Sequence, residues 1–430
     1  MLDGKVYLFY TSLAIMTLLY FSFFQIFFIL KGNLYVLNLF LKMQGSVWTM
    51  NDKQMTYKLI VESRELKQIG DELEREKAIG VDLESDSMFH YQEKVCLLQI
   101  STRTTNILID TIALKDLSPV ERIFRNERIL KVFHGADYDI RSLYRDFGIE
   151  VNNLFDTQIA ARFLGFREYS LASLLKDLVG VDVEKKYQKK DWSKRPLPIA
   201  MLDYAVRDSC KLLSLHQILE RKLINKGRFS WAEEESRILS RVRAAINRNS
   251  PLFINFRGAG KLSSRSLAVL EAILQLREDI ARRRDVPCFK VLGNRQIMEL
   301  IKKMPATENA LKAVDCLSHR QFISLETSLL KNIQDALNLP ESKCPAYPKK
   351  EKKSFDPKAA KRIKALRLWK DKRADELNID ASLVCTNLQI QSIAVECPQD
   401  LKEFERLSLI KNWQRDVFGP EICDILKATG

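Results

Sequence analysis

What the 430-residue chain has little of narrows its chemistry first. It holds four scattered histidines and eight cysteines that never come closer than twelve positions, so no CxxC pair exists. Structural zinc sites are built from clustered Cys and His, and a disulfide framework needs a dense set of cysteines in a short chain. No zinc is expected, and the scattered thiols suit a reducing compartment. Charge is missing from one long stretch: Val6 to Leu30 is 25 residues without a charged side chain, between Lys5 and Lys31. That is long enough to span a bilayer, and no small-residue cleavage site stands out after it. Lys31, Lys42 and Lys53 follow, which by the positive-inside rule leaves the rest of the chain cytoplasmic. Two readings of residues 1–50 stay open. One is a span giving membrane contact through residues 6–30; the other is upstream sequence ahead of a true start at Met43, Met50 or Met55.

Net charge is also missing from half of the chain. Residues 1–220 hold 29 basic and 29 acidic side chains, whereas residues 221–430 hold 40 and 26, so the whole +14 lies in the second half. A neutral half carrying acids beside a basic half fits an enzyme acting on a polyanion with a separate electrostatic grip. A basic surface that serves only solubility is the alternative. With 46% hydrophobic and 29% charged residues, most of the chain can form globular cores, in two to four domains.

The acids are organised around Ile79-Gly80-Val81-Asp82-Leu83-Glu84-Ser85-Asp86. Alternation of Ile79, Val81 and Leu83 with Gly80, Asp82 and Glu84 has the period of a strand with one buried face. Asp82 and Glu84 then project from the same face, which is costly unless a cation lies between them. Solvated acids on an edge strand are the plainer alternative. Val95–Ser101 and Asn106–Asp110 read as two more strands joined by a Thr102–Thr105 hairpin, and Ile129–Phe133 as a fourth. Helical patterns follow at Tyr138–Phe147, Thr157–Phe163, Leu171–Leu178 and Pro198–Leu223. A meander followed by alternating helices and strands is α/β with a mixed sheet. In Phe133-His134-Gly135-Ala136-Asp137-Tyr138-Asp139 a strand turns into a helix, with Asp137 the expected N-cap and Asp139 in the first turn. Tyr204 and Asp208, at i and i+4, share a helix face.

In that order and context, these three motifs resemble those of the DEDD exonuclease superfamily in its tyrosine-bearing subgroup, closest to the ribonuclease D family and its relative in the eukaryotic nuclear exosome. Val95–Ser101, Leu154–Gln158 and Asp191-Trp192-Ser193-Lys194-Arg195-Pro196-Leu197 resemble that family too, and the likeness covers residues 56–224. It implies a ribonuclease H-like fold with Asp82, Glu84, Asp139 and Asp208 holding two divalent ions, Mg²⁺ or Mn²⁺, and Tyr204 positioning the attacking water. Two hard cations about 4 Å apart neutralise both the attacking and leaving oxygens of a phosphodiester, which suits these residue types. Asp86, Asp137 and Asp156 are assigned to caps or loops. His134, Trp192 and Arg195 are candidate substrate contacts, with a satisfied turn histidine and a core-anchoring tryptophan as the alternatives for the first two.

The basic half contains an internal repeat without gaps: Ala272, Val291, Asn294, Gln296, Ile297 and Pro305 face Ala365, Val384, Asn387, Gln389, Ile390 and Pro398, 93 residues on. Helices are expected near Phe229–Asn247, at Leu262–Arg284 and from Val291 to Pro305. Each copy resembles the helicase-and-ribonuclease-D C-terminal (HRDC) domain, a small all-α nucleic-acid-binding bundle. The expected layout is an exonuclease domain at 56–224, HRDC-like bundles at 260–340 and 358–430, and a Pro/Lys-rich linker at 341–357. These bundles either grip RNA or complete the exonuclease core by packing on it. The resemblance implies a monomeric, cytoplasmic 3′-to-5′ exoribonuclease trimming structured RNA such as tRNA precursors. A 3′-to-5′ DNA exonuclease and a catalytically silent RNA-binding adaptor are the alternatives.

Overall fold

The computed structural model describes residues 55–183, 186–243, 250–348 and 357–429. The uncharged run at 6–30, with its two readings, lies outside the described residues, as does much of the linker. Among the described residues no helix is long and apolar enough to cross a membrane. The described residues open with strand β1 (Lys58–Ile60) and helix α1 (Ser63–Leu73), then the meander β2 (Ala78–Ser85), β3 (Val95–Ser101) and β4 (Asn106–Asp110). Helix α2 (Ser118–Arg125) leads to β5 (Leu130–Phe133), α3 (Asp137–Phe147), β6 (Leu154–Asp156) and α4 (Thr157–Leu164). The six strands form one mixed sheet in the order β1-β4-β3-β2-β5-β6. Strand β2, which carries Asp82 and Glu84, is therefore central, antiparallel to β3 and parallel to β5. The β3–β4 turn closes as Thr102 N donates to Thr105 O at 2.8 Å, while Thr102 Oγ1 accepts from Thr104 and Thr105 N–H.

The short helix α5 (Leu171–Leu174) continues as a π-turn, Leu175–Val179. The single helix expected over Pro198–Leu223 is two, α6 (Ile199–Ser209) and α7 (Leu212–Asn225). The break falls where the chain lies against the sheet. A Cβ on Gly80 would come within 2.8 Å of Ser209 O, and Ser209 Oγ bonds Ser101 Oγ at 2.7 Å. Ser209 is thus tied to the sheet, and α6 delivers Tyr204 and Asp208 above β2. Helix α8 (Phe229–Leu239) ends earlier than the pattern over Phe229–Asn247 implies.

The C-terminal half reproduces the sequence repeat helix by helix, except that a 3-10 turn, Glu403–Arg406, stands in the second copy where the first has a short α-helix. The first copy comprises α9 (Ser264–Arg284), α10 (Cys288–Val291), α11 (Asn294–Lys303), the short α12 (Glu308–Lys312) and α13 (His319–Leu337). The second comprises α14 (Pro357–Leu377), α15 (Ala381–Val384), α16 (Asn387–Glu396) and α17 (Asn412–Thr429). Helices α14, α15 and α16 begin and end 93 residues after α9, α10 and α11. The hydrogen bonds keep the same offset. Gln296 Nε2 donates to Cys316 O (2.8 Å) and Gln321 Oε1 (2.9 Å); Gln389 Nε2 donates to Leu409 O (2.8 Å) and Gln414 Oε1 (2.7 Å). Gln321 Nε2 closes on Val291 O at 2.8 Å and Gln414 Nε2 on Val384 O at 3.0 Å. An amide pair so satisfied, half-buried in the first copy and buried in the second, fixes the register of each bundle.

The two copies are attached differently. The first has a core of its own, built from α9, α11 and α13 and including Phe253. The second shares a hydrophobic core with the exonuclease half: Phe163, Leu164 and Trp231 lie in one buried cluster with Leu366, Trp413 and Phe418. Trp413 stacks on Trp231 with ring centroids 4.9 Å apart, and Phe163 meets it edge-on at 5.3 Å. Glu235 receives Trp413 Nε1 at 3.0 Å and pairs with Lys411, while Glu234 accepts the Asn412 and Trp413 N–H groups that open α17. Of the two alternatives for the helical half, packing holds for the second copy.

Candidate active site

Central strand β2 and the face of α6 above it bring Asp82, Glu84 and Asp208 together, with carboxylate oxygens within 4.8 Å of one another. The pairing register shifts between Glu84 and Ser85, a bulge that re-aims the chain next to Glu84. That bulge is held from α3: Ser85 Oγ donates to Tyr138 Oη at 2.8 Å, and Tyr138 Oη donates to Glu93 Oε2 at 3.0 Å. Tyr138 precedes Asp139, so one side chain links the turn after β2 to the start of the helix bearing the fourth acid.

Asp139 is placed by the turn His134-Gly135-Ala136. Asp156, at the end of β6, caps α4 through Gln158 N (2.7 Å) and Ile159 N (3.2 Å). The same carboxylate accepts Gly135 N at 3.0 Å and Ala136 N at 2.7 Å. Gly135 sits at φ +71°, where a side chain would be strained. Asp137 is not the N-cap, which corrects the expectation: Ala136 occupies that position, Asp137 is the first helical residue, and its carboxylate pairs with Arg141 Nε at 2.8 Å. Asp86 has the expected loop role, accepting Lys94 N at 2.7 Å.

The electrostatics of the four acids point one way. Burial raises Asp82 well above the usual carboxylate range, and Asp208 and Asp139 add to it. Glu84 is also raised, by burial and then by Asp82, Asp208 and Asp139. Asp139 is pushed up to about 7 by burial and by Asp156, and Asp208 to about 6 by burial, opposed by its hydrogen bond from Tyr204. The side-chain charges acting most on Asp82, Glu84 and Asp139 are all other carboxylates. Buried like charges without a cationic side chain are the donor set of a hard divalent cation. A second sign lies across the strand pair. Gln99, directly opposite Asp82 on β3, is fully buried, and neither atom of its amide has a hydrogen-bond partner among the described residues. A buried amide left so is costly, and its place opposite Asp82 suits a site that takes up a polar ligand. The residues present fit a metal centre. Gln99 escaped the sequence reading; the available signal was one amide within the otherwise apolar Val95–Ile100.

Tyr204 completes the cluster. Burial, Asp208 and Glu84 hold its phenol above the ordinary tyrosine range, so it stays protonated and donates to Asp208. Trp192 is fully buried with its ring centroid 6.2 Å from that of Tyr204. Its burial corrects the base-stacking expectation: no face is open to a base, and Trp192 stands in the core beside Tyr204. His134 Nδ1 meets Thr157 Oγ1 at 2.9 Å, and the Thr157 hydroxyl is itself committed to Phe133 O at 2.9 Å. The bonding pattern therefore puts the imidazole proton on Nδ1 and leaves Nε2 as an acceptor. Burial lowers the His134 pKa. Arg195 is exposed and donates to Lys194 O at 2.7 Å.

Known proteins carry the same plan. A family model described as 3′-5′ exonuclease matches residues 57–224, and one described as HRDC domain matches 266–326 and 359–426. The ribonuclease D of Gluconacetobacter diazotrophicus is 30% identical over 369 residues, which cover 84% of this chain and 91% of that protein. This chain belongs to the ribonuclease D family. The ribonuclease D of Granulibacter bethesdensis is 28% identical over 368 residues, with the same coverage of both chains. Among solved structures, the catalytic core of RRP6 from Trypanosoma brucei aligns with a TM-score of 0.58 at 30% identity, over 69% of this chain and 85% of that one. Escherichia coli RNase D aligns with a TM-score of 0.66 over 87% of this chain and 99% of that one; at 24% identity it supports the fold alone. As a ribonuclease D relative, the chain is a nucleic-acid-binding 3′-to-5′ exoribonuclease of the DEDD family, which uses divalent metal.

Proposed function

We propose that this ribonuclease D relative trims the 3′ ends of structured RNA such as tRNA precursors, as a cytoplasmic monomer. The carrying observation is the convergence of Asp82, Glu84 and Asp208 within 4.8 Å, beside Tyr204. Asp82, Glu84, Asp139 and Asp208 would hold two Mg²⁺ or Mn²⁺ ions, which when bound supply charge neutralisation for the attacking and leaving oxygens. Tyr204, kept as a phenol, orients the attacking water through its oxygen while its proton stays on that oxygen, donated to Asp208. Trp192 and Tyr187, whose ring centroid lies 5.8 Å from that of Tyr204, hold the phenol in place. Water adds to the phosphorus of the last phosphodiester as the P–O3′ bond breaks; the water oxygen leaves with the released nucleoside 5′-monophosphate, and a proton passes to O3′, so that the shortened RNA ends in a 3′-hydroxyl. The eight cysteines are all free, which supports the cytoplasm. The test is incubation with 3′- or 5′-labelled RNA and DNA, with and without Mg²⁺. Stepwise shortening of RNA from its 3′ end, abolished by chelation, is expected; preference for DNA would overturn the reading.

A further inference from the structure

Within the repeat, equivalent positions on the first helix of each copy have opposite fates. In α9, Ala268 and Leu274 are buried, and Glu271 between them accepts Leu252 N at 3.1 Å and Phe253 N at 2.9 Å. The segment Leu252–Asn255 thus covers that face, with Phe253 in the core beneath it. Ninety-three residues on, α14 carries Lys361, Lys364 and Arg367 at the same three positions, all exposed. Lys358 continues the row, and its counterpart Arg265 is likewise committed inward, donating to Ala336 O at 3.0 Å and to Leu339 O.

The row winds across the solvent-facing half of the helix, each step of three turning it back by about 60°, and spans about 14 Å at 1.5 Å per residue. Arg362 falls in the same stretch, and Pro357–Lys370 contains no acid; the acids of α14 (Asp371, Asp375 and Glu376) are confined to its last two turns. No ion pair involves Lys358, Lys361, Lys364 or Arg367 among the described residues. The opposite side of α14 is fixed: Leu366 lies in the core shared with Phe163, Trp231 and Trp413. This basic row is therefore held by the same packed core as the exonuclease half.

We propose that the outer face of α14, through Lys358, Lys361, Lys364 and Arg367, is a phosphate-backbone docking surface for the body of the RNA whose 3′ end is being trimmed, and that in the first copy Leu252–Asn255 closes the equivalent face. The inference rests on the proposed structured-RNA substrate. RNA is the occupant favoured by charge complementarity, because a polyanion is what this enzyme acts on. An extended row of unpaired cations suits successive phosphates, and each contact releases counterions.

The experiment uses the full chain and the triple variant Lys361→Glu, Lys364→Glu, Arg367→Glu. A control carries Arg320→Glu and Lys331→Glu, both exposed on the first copy. Binding to a tRNA transcript is measured across a salt series, alongside turnover of a short single-stranded RNA. The triple variant should bind the transcript at least about tenfold more weakly, with the slope of log affinity against log salt reduced by about 2 to 3. Its turnover on the short RNA should equal wild type, which also shows that it folds. Unchanged affinity and slope would overturn the surface, as would an equal loss in the control. So would loss of binding to phosphatidylserine vesicles with transcript binding intact. A wild-type chain that degrades the short RNA but binds the transcript no better would instead sink the structured-RNA reading, and the surface with it.

Discussion

A chain ending at Pro348 retains every proposed metal ligand and the whole first helical copy, yet it should not work. Removing the second copy uncovers Phe163 and Trp231, both now in the shared core. Returning a large apolar side chain to water costs about 1.5–3 kcal/mol, so these two alone cost about 3–6 kcal/mol. Glu235 also loses Lys411 and Trp413, and Arg228 loses its bond to Leu377 O (2.9 Å). Against a domain stability of about 5–15 kcal/mol, this removes a large fraction. At about 2–4 °C per kcal/mol, the melting temperature should fall by at least about 6 °C. Turnover of short and long RNA should fall together at 37 °C, since what is lost is the folded catalytic domain. Trp413→Ala in the full chain should reproduce the effect in milder form, by about 3–5 kcal/mol in denaturant titration. A truncated protein melting within about 2 °C of the full chain, with wild-type turnover on a short oligonucleotide, would refute the shared core.

Other expectations follow from the site. Asp139→Asn should lower turnover by roughly three orders of magnitude, about 4 kcal/mol of barrier, while RNA binding in a gel-shift assay survives. Tyr204→Phe should cut turnover with the Mg²⁺ concentration for half-activity nearly unchanged, because the phenol positions water and does not ligate. Tyr138→Phe removes the hydroxyl that steadies the bulge beside Glu84, so Mn²⁺ affinity measured by paramagnetic resonance without RNA should fall severalfold. In metal-free protein, Asp208 at about 6 and Asp139 at about 7 lie above their unfolded values near 3.9. Raised carboxyls contribute stability that is fully present below the unfolded value and lost as pH rises through 6 and 7. Chelator-treated protein should therefore melt lower at about pH 8 than at about pH 5.5, and added Mg²⁺ should stabilise it more at the higher pH.

The acids were legible in the sequence because two simple periods expose them: alternation puts Asp82 and Glu84 on one strand face, and four-residue spacing puts Tyr204 above Asp208. The repeat was legible because its copies align without a gap, and their helices and paired glutamines keep the same offset. Other features were hidden for physical reasons. Strands β1 and β6 have three residues each, too few to show a period. No glycine or proline marks the break at Cys210-Lys211; it is set by contact with Gly80 and Ser101 on the sheet. Trp192 lies between basic residues and so looks like a stacking platform, and only the fold shows that it is buried. Nothing local in the two helical copies tells which one shares the catalytic core, because Trp413 needs Trp231 and Phe163, far away in sequence, to reveal its job.

The matched glutamine pairs carry one more implication, for engineering. Gln296–Gln321 and Gln389–Gln414 fix the interior of each bundle through the same bonds, whereas the outer faces differ in charge and cover. The inside works as a common chassis and the outside as exchangeable trim. Surface residues of α9 and α14 can therefore be transplanted between the two bundles position for position, provided that the Leu252–Asn255 cover travels with the face it closes. A single chain could in this way be rebuilt with its RNA-facing charges moved from one bundle to the other, at the cost of repacking the first bundle where Ala268 and Leu274 are buried.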